Sequence, residues 1–271
     1  MSDALRVTLV QADLAWEDAA ANRRQLERLL EPHEGRSDLV VLPEMFATGF
    51  SMSPEKVAEP MNGPSFEWMR NTAGRLGAVL AGSLAIEEGG RYFNRFIWMR
   101  PDGSYETYDK RHLFRLAGED ASYEPGEAKL IVQLGAWRVC PMVCYDLRFP
   151  VWSRNLFGTD SAYEVLLYVA NWPAPRHNAW QTLLRARAIE NLSYCIGVNR
   201  VGTDGKGLRY RGGSVAIDFL GRELTPESEE QGVATATLDL AALEEFRRKF
   251  PFHVDADEFT LGRMGSPRAR G

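Results

Sequence analysis

The stretch Val139-Cys140-Pro141-Met142-Val143-Cys144-Tyr145-Asp146-Leu147-Arg148-Phe149-Pro150 changes character in its middle. As far as Val143 it is an apolar run of strand length, with Trp137 leading into it. From Tyr145 onward it is polar and aromatic, and it ends on a proline. The spacing predicts a buried strand that stops at Cys144 and a short helix that starts near Leu147. A cysteine at such a corner points into a cleft, and a helix N-terminus beside it would favour the thiolate. The competing reading is a small buried core residue, which is what most free cysteines are.

The same alternation runs outward in both directions. Residues 5–10, 38–42, 165–169 and 193–198 are apolar runs of strand length. Between them lie helical patterns. Residues 19–30 carry Leu26, Leu29 and Leu30 at helical spacing. Residues 64–76 begin with a first-turn proline. Residues 179–191 carry Trp180, Leu183, Leu184, Ala188 and Ile189 as one stripe, and residues 241–250 form a last helix. Residues 78–86 and 92–99 read as strands, and Pro101-Asp102-Gly103 is a tight turn that pairs 91–99 with 104–108. Residues 130–132, 212–219 and 233–238 complete the strands. This order predicts an α/β chain built as two mixed sheets packed face to face, with helices outside. No repeat or linker divides it. A single domain over 1–262 is expected, with a disordered basic tail at 263–271.

Composition narrows the function. The net charge is −5, from 32 Lys+Arg against 37 Asp+Glu. That balance argues against a nucleic-acid or anionic-membrane surface. No apolar stretch approaches the roughly 20 residues of a spanning helix, and residues 1–4 lack a signal-peptide pattern. Three cysteines, Cys140, Cys144 and Cys195, form no disulfide framework and suit a reducing, cytoplasmic compartment. The four histidines are scattered, and no metal-ligand spacing, phosphate loop or serine elbow is present. No cofactor is expected. A redox pair of Cys140 and Cys144 is disfavoured: four residues of strand separate Cα atoms by about 13 Å, beyond the roughly 7 Å limit of a disulfide.

Three further residues are candidates for chemistry. Glu44 follows the buried run Leu39-Val40-Val41-Leu42 and a proline, at a strand end where α/β sites lie. A solvated loop residue or a helix cap is the competing reading. Lys110 ends the hairpin strand in Tyr108-Asp109-Lys110-Arg111-His112, where a surface lysine is the plainer expectation. Glu119, nine residues on, is unremarkable by itself.

Taken in order, these segments resemble the nitrilase (carbon–nitrogen hydrolase) superfamily. Pro43-Glu44-Met45-Phe46 is similar to its glutamate motif, Asp109-Lys110-Arg111-His112-Leu113-Phe114 to its lysine motif, and residues 143–150 to its cysteine motif. Tyr168-Val169-Ala170-Asn171-Trp172-Pro173, Arg185-Ala186-Arg187-Ala188-Ile189-Glu190-Asn191 and Asn199-Arg200-Val201-Gly202 extend the resemblance, which runs from about residue 5 to 262. Residues 46–52 and 171–176 resemble the bacterial omega-amidase branch.

The resemblance implies a four-layer α-β-β-α sandwich, a homodimer formed through a helical layer, and a small-molecule amide substrate. It implies Cys144 as nucleophile, Glu44 as general base, and Lys110 with the Tyr145 N–H as oxyanion donors. Glu119 matches a second glutamate that orients Lys110 or the substrate amide, with Glu124 and Glu127 competing for that position. The branch implies a dicarboxylate monoamide such as 2-oxoglutaramate or 2-oxosuccinamate. Its far carboxylate needs a cation, for which Arg148, Arg176 and Arg200 are candidates; the plainer reading of Arg148 is an ion pair with a neighbouring acid. Asn171, Trp172 and Phe46 are expected at the pocket. The same triad acting on a nitrile or an N-carbamoyl amine is the alternative, and a non-catalytic binding protein a more distant one.

Overall fold

The computed structural model describes residues 3–261. The chain opens with β1 (Ala4–Gln11), α1 (Ala19–Leu30), β2 (Leu39–Val41), α2 (Pro54–Val57) and α3 (Pro64–Leu76). It continues through β3 (Val79–Glu88), β4 (Arg91–Met99), β5 (Tyr105–Asp109), β6 (Val132–Leu134), β7 (Trp137–Val143) and α4 (Pro150–Ser153). After these come β8 (Val165–Ala170), α5 (His177–Glu190), β9 (Tyr194–Asn199), β10 (Val201–Thr203), β11 (Arg209–Arg211), β12 (Val215–Ile217), β13 (Gly232–Asp239) and α6 (Leu240–Lys249).

Two mixed sheets form the centre, in the orders β13-β1-β2-β3-β4-β5 and β12-β9-β8-β7-β6. The middle of each is parallel, β1–β2–β3 in one and β7–β8–β9 in the other. Antiparallel strands flank them. Side-chain alternation makes the layers. Leu39 and Val41 of β2 face the second sheet, in one core with Val139, Leu167 and Val169. Val40 and Leu42 face the other way, in a core with Leu26 of α1 and Phe66 and Met69 of α3. Trp180, Leu184 and Ala188 of α5 cover the far side of the second sheet. The result is α-β-β-α, as expected, and it explains why the parallel strands read as unbroken apolar runs: both of their faces are covered.

Helix ends follow local chemistry. The Asp18 carboxylate accepts the Ala21 N–H at 2.9 Å and starts α1. Pro64 sits in the first turn of α3, and Gly77 ends that helix at φ +62°, a left-handed cap. The β4–β5 hairpin is fastened by Arg95, whose guanidinium bonds Asp109 at 2.7 and 2.9 Å, one residue before Lys110.

Three differences from the sequence expectations matter for the site. The short helix foreseen near Leu147 is a 3-10 turn over Cys144–Arg148, followed by α4. The strand expected over 212–219 shrinks to β12, because Gly212 and Gly213 take φ of +67° and +72° and leave the extended region. An unforeseen hairpin, β10–β11, projects beside them. Residues 263–271, expected as a tail, lie outside the described residues. No helix among the described residues is long and apolar enough to cross a membrane.

Candidate active site

Glu44, Lys110, Cys144 and Asn171 all stand just past the ends of strands: β2, β5, β7 and β8. These ends meet between the two sheets, so four segments spread over 127 positions of sequence converge on one point. Lys110 is fully buried and its Nζ lies 2.9 Å from Oε1 of Glu44 and 2.9 Å from each carboxylate oxygen of Glu119. Both glutamates are fully buried as well. Glu124 and Glu127 are exposed, so the loop residue brought to the lysine is Glu119.

The carboxylates are held from several sides. Asn94, on β4, donates from Nδ2 to Glu44 Oε1 at 2.8 Å and to Glu119 Oε1 at 3.1 Å. The Asn171 N–H donates to Glu44 Oε2 at 2.8 Å, and its Nδ2 to the Glu44 carbonyl at 2.6 Å. The Phe114 N–H donates to Glu119 Oε2 at 2.6 Å. Met45 and Cys144 hold φ of +43° and +44°, the left-handed region that non-glycine residues avoid. Such strain persists only where surrounding contacts over-determine it.

Cys144 opens onto a pocket of about 90 Å³. At roughly 10–15 Å³ for each water, that is room for a group the size of a small metabolite. Lys110, Cys144, Tyr145, Arg148, Asn171 and Trp172 line it. Phe46 does not. It lies fully buried in the core between the first sheet and its helices, against Trp68 and against Gly82, where a Cβ would come within 3.0 Å of its ring. Phe50 takes the wall position instead, with the Lys110 ammonium 5.0 Å from its ring centre. Arg200 is also absent from the pocket. It is buried beneath Tyr210 and bonds Asp13 and the carbonyls of Leu14 and Val201.

Arg148 makes no ion pair among the described residues, contrary to its plainer reading; its guanidinium lies 4.9 Å over the ring of Trp172. Arg176 likewise has no carboxylate partner among the described residues and lies 5.1 Å over Phe114.

The pattern of known proteins that match agrees with this geometry. The carbon–nitrogen hydrolase family matches residues 6–248. The chain belongs to that family. It is 48% identical over 259 residues to omega-amidase YafV of Escherichia coli (strain K12), covering 95% of this chain and 98% of that protein. It is 30% identical to 2-oxoglutaramate amidase of Bacillus subtilis (strain 168), covering 92% of this chain and 96% of that one. Among solved structures, XC1258 from Xanthomonas campestris, a CN-hydrolase superfamily protein with an arsenic adduct in the active site, superposes with a TM-score of 0.94 at 48% identity, covering 97% of this chain and 100% of that one. Nit3 of Saccharomyces cerevisiae, from branch 10 of the nitrilase superfamily, superposes with a TM-score of 0.82 at 25% identity, covering 93% and 96%.

In this carbon–nitrogen hydrolase the ionisation of Lys110, Glu119 and Cys144 is shifted by burial and by neighbouring charges. Burial alone would push the Lys110 ammonium toward neutrality, but Glu119 and Glu44 more than offset it, and the group is held protonated. Burial raises the Glu119 carboxyl, with Lys110 opposing and Glu44 adding to the rise. The Cys144 thiol is pushed well above its ordinary range, first by burial and then by the Glu44 charge, which also accepts its hydrogen bond. Burial therefore works against the thiolate that a helix end was expected to favour. The five-residue 3-10 turn is too short to act as a helix dipole, and burial dominates. The Cys144 thiol lies beside Glu44, whose charge opposes its ionisation.

The sign of the Glu44 effect can be tested directly. Glu44→Gln removes the charge that raises the thiol, so the thiolate absorbance titration of Cys144 should move to lower pH. Lys110 acts in the opposite sense. A titration unchanged or moved upward in Glu44→Gln would mean that Glu44 does not face the thiol.

The hydrolase site also contains a residue not singled out from sequence. Asp146 is fully buried and accepts four bonds: from the Val143 N–H at 3.0 Å, Tyr108 Oη at 2.7 Å, the His112 N–H at 3.0 Å, and His112 Nδ1 at 2.7 Å. Trp152 Nε1 donates to Tyr108 Oη at 3.0 Å, and the His112 ring stacks on Phe149 at 3.8 Å. Asp146 thus ties the cysteine turn to the lysine turn. Its only sequence signal was an acid two residues after a candidate nucleophile, which many loops carry.

Proposed function

We propose that this carbon–nitrogen hydrolase cleaves the terminal amide of a small dicarboxylate monoamide, such as 2-oxoglutaramate or 2-oxosuccinamate, and releases ammonia through a thioester on Cys144. The observation that carries the reading is a Lys110 ammonium clamped by two buried carboxylates beside a buried thiol, in a small pocket whose Arg148 guanidinium has no carboxylate partner among the described residues. The names of the 48% and 30% identical relatives, omega-amidase and 2-oxoglutaramate amidase, support the same substrate class.

In this reading Glu44 takes the thiol proton as Sγ attacks the amide carbonyl. Lys110 and the Tyr145 N–H hold the developing oxyanion. Tyr145 is the second residue of its turn, a position whose N–H has no acceptor within the turn. The C–N bond then breaks, and the proton on Glu44 goes to the departing nitrogen. Water enters where ammonia left, Glu44 takes its proton, and collapse of the second tetrahedral adduct returns the thiol and a dicarboxylate. Glu119 keeps Lys110 charged and placed, Asn171 fixes Glu44, and Trp172 walls the pocket and supports Arg148. The guanidinium of Arg148, stacked and preorganised, binds the far carboxylate bidentately.

The same reading carries a homodimer, for which exposed apolar side chains such as Ile189 and Phe252 offer surface. It also carries a cytoplasmic setting, which suits three free thiols.

The test is ammonia release by purified protein from succinamate and 2-oxoglutaramate, set against a nitrile and an N-carbamoyl amino acid. Turnover of the monoamides at a kcat/KM at least about 10²-fold above the others is expected, since a site built for a charged tail rejects ligands that leave its cation unpaired. Strong nitrile turnover with none of the monoamides would overturn the substrate class.

A further inference from the structure

Three cations besides Lys110 line the pocket: Arg148, Arg176 and Lys206. None of the three has a carboxylate partner among the described residues. Most arginines elsewhere are paired, Arg95 with two acids and Arg138 with Glu164. Unpaired cations gathered on one mostly apolar pocket are an arrangement that an anion completes.

Lys206 is carried by the tip of the β10–β11 hairpin, and that tip is built in unusual detail. The Asp204 carboxylate, also on the pocket wall, is turned back into its own loop. Its Oδ1 accepts the N–H groups of Lys206 and Leu208, each at 2.9 Å, and its Oδ2 accepts Tyr210 Oη at 3.0 Å. The Asp204 N–H donates to the Leu208 carbonyl at 3.1 Å, and the Gly207 N–H to the Asp204 carbonyl at 3.0 Å. Gly205 lies flat on Trp16, where a Cβ would come within 2.3 Å of the indole. At the base, β11 packs against the turn Ala174–Arg176. The loop and the turn therefore hold Lys206 and Arg176 on neighbouring elements of one wall. Arg176 is further restrained by its stacking on Phe114.

We infer that Arg176 and Lys206 form the outer half of an anion subsite, which reads the far carboxylate of the acyl group together with Arg148 and makes the enzyme select amides with an anionic tail. A carboxylate offers about four acceptor positions, and a bidentate arginine occupies two. The remaining two are open to donors from the pocket mouth. The three cations and the one carboxylate of Asp204 leave this wall positive. An anionic amide is drawn toward it, whereas a neutral acyl amide of the same length gains nothing there. This subsite rests on the amidase reading above, and it adds the residues that would set the preference.

The test compares wild type with Arg176→Gln, Lys206→Gln and the double variant, after checking that all melt at similar temperature. Two quantities are measured: calorimetric binding of succinate, which has the charged tail but no amide, and the ratio of kcat/KM for succinamate to that for butyramide. Arg176→Gln is expected to weaken succinate about 10-fold and the exposed Lys206→Gln about 3-fold. The double variant should lose about 30-fold if the two act independently, and the kcat/KM ratio should fall in parallel. Arg176→Lys should restore part of the loss, and the double variant should depend less on salt. Undiminished succinate binding in the double variant, no measurable binding by wild type, or equal losses on both amides would each overturn the subsite. The two readings fail separately. A wild type that ignores succinamate but binds succinate through these residues loses the amidase reading and keeps the subsite. A wild type that prefers succinamate, with its preference unchanged in the double variant, does the reverse.

Discussion

Replacing Cys144 with alanine is expected to lower ammonia release from succinamate by at least about 10⁴-fold, the scale on which removing a covalent nucleophile acts. No other thiol can substitute. Cys140 and Cys195 are fully buried in the inter-sheet and outer core and do not line the pocket. The loss should not come from unfolding, because alanine retains the backbone and tolerates the φ of +44° no worse than cysteine does. Thermal melting beside the ammonia assay checks this. A variant that keeps more than about 1% of wild-type turnover would remove Cys144 from the reaction.

Lys110→Met should be nearly as damaging, and in two distinct ways. The ammonium sits 2.9 Å from three carboxylate oxygens in a site with no exposure. Taking it away leaves two buried carboxylates facing each other, which costs about 3–5 kcal/mol when one partner of a buried pair is lost. In the proposed reaction it also removes an oxyanion donor, worth about 10²–10³ in rate. The pH dependence separates the two. Without Lys110 the Glu119 carboxyl loses the interaction that lowers its pKa and rises further above its unfolded value. A carboxyl raised in the folded state adds stability below its unfolded pKa and loses it as pH rises through the folded value. The stability deficit of Lys110→Met should therefore be larger at pH 8 than at pH 5. Urea denaturation at both values measures it. An equal deficit at the two pH values would mean that the carboxylates are not the cause.

The strands that frame the site were legible because of where they lie. Strands covered on both faces, such as β2, β7 and β8, show as short unbroken apolar runs, and the polar residue that ends each run stands out. Glu44, Cys144 and Asn171 are such residues. The first-turn proline at Pro64 and the turn at 101–103 are local chemistry, read from neighbours in sequence, whereas the Asp18 cap emerged only in the structure. Strands of three residues on a glycine-rich tip, as in β10–β11, show no period and look like loop. Asn94 sits inside a strand whose other residues follow the pleat, and nothing in its neighbours marks it as the donor shared by two glutamates. Phe46 and Phe50 occupy the same segment, yet the first packs in the core against Gly82 and Trp68 while the second meets the pocket.

By itself, then, the sequence determined the alternation of strand and helix, the two-sheet sandwich and the ends of the strands that bear Glu44, Lys110 and Cys144. Those features follow from apolar period and turn chemistry, which act over a few residues. The tertiary structure alone decided that Lys110 is buried between Glu44 and Glu119, that Asp146 joins the cysteine and lysine turns, that Arg148 and Arg176 have no carboxylate partner among the described residues while Arg200 has one, and that burial raises the thiol above its ordinary range. Each of these depends on which polar groups are enclosed together. A charge can be buried only where partners from distant segments reach it, and no local pattern records that meeting.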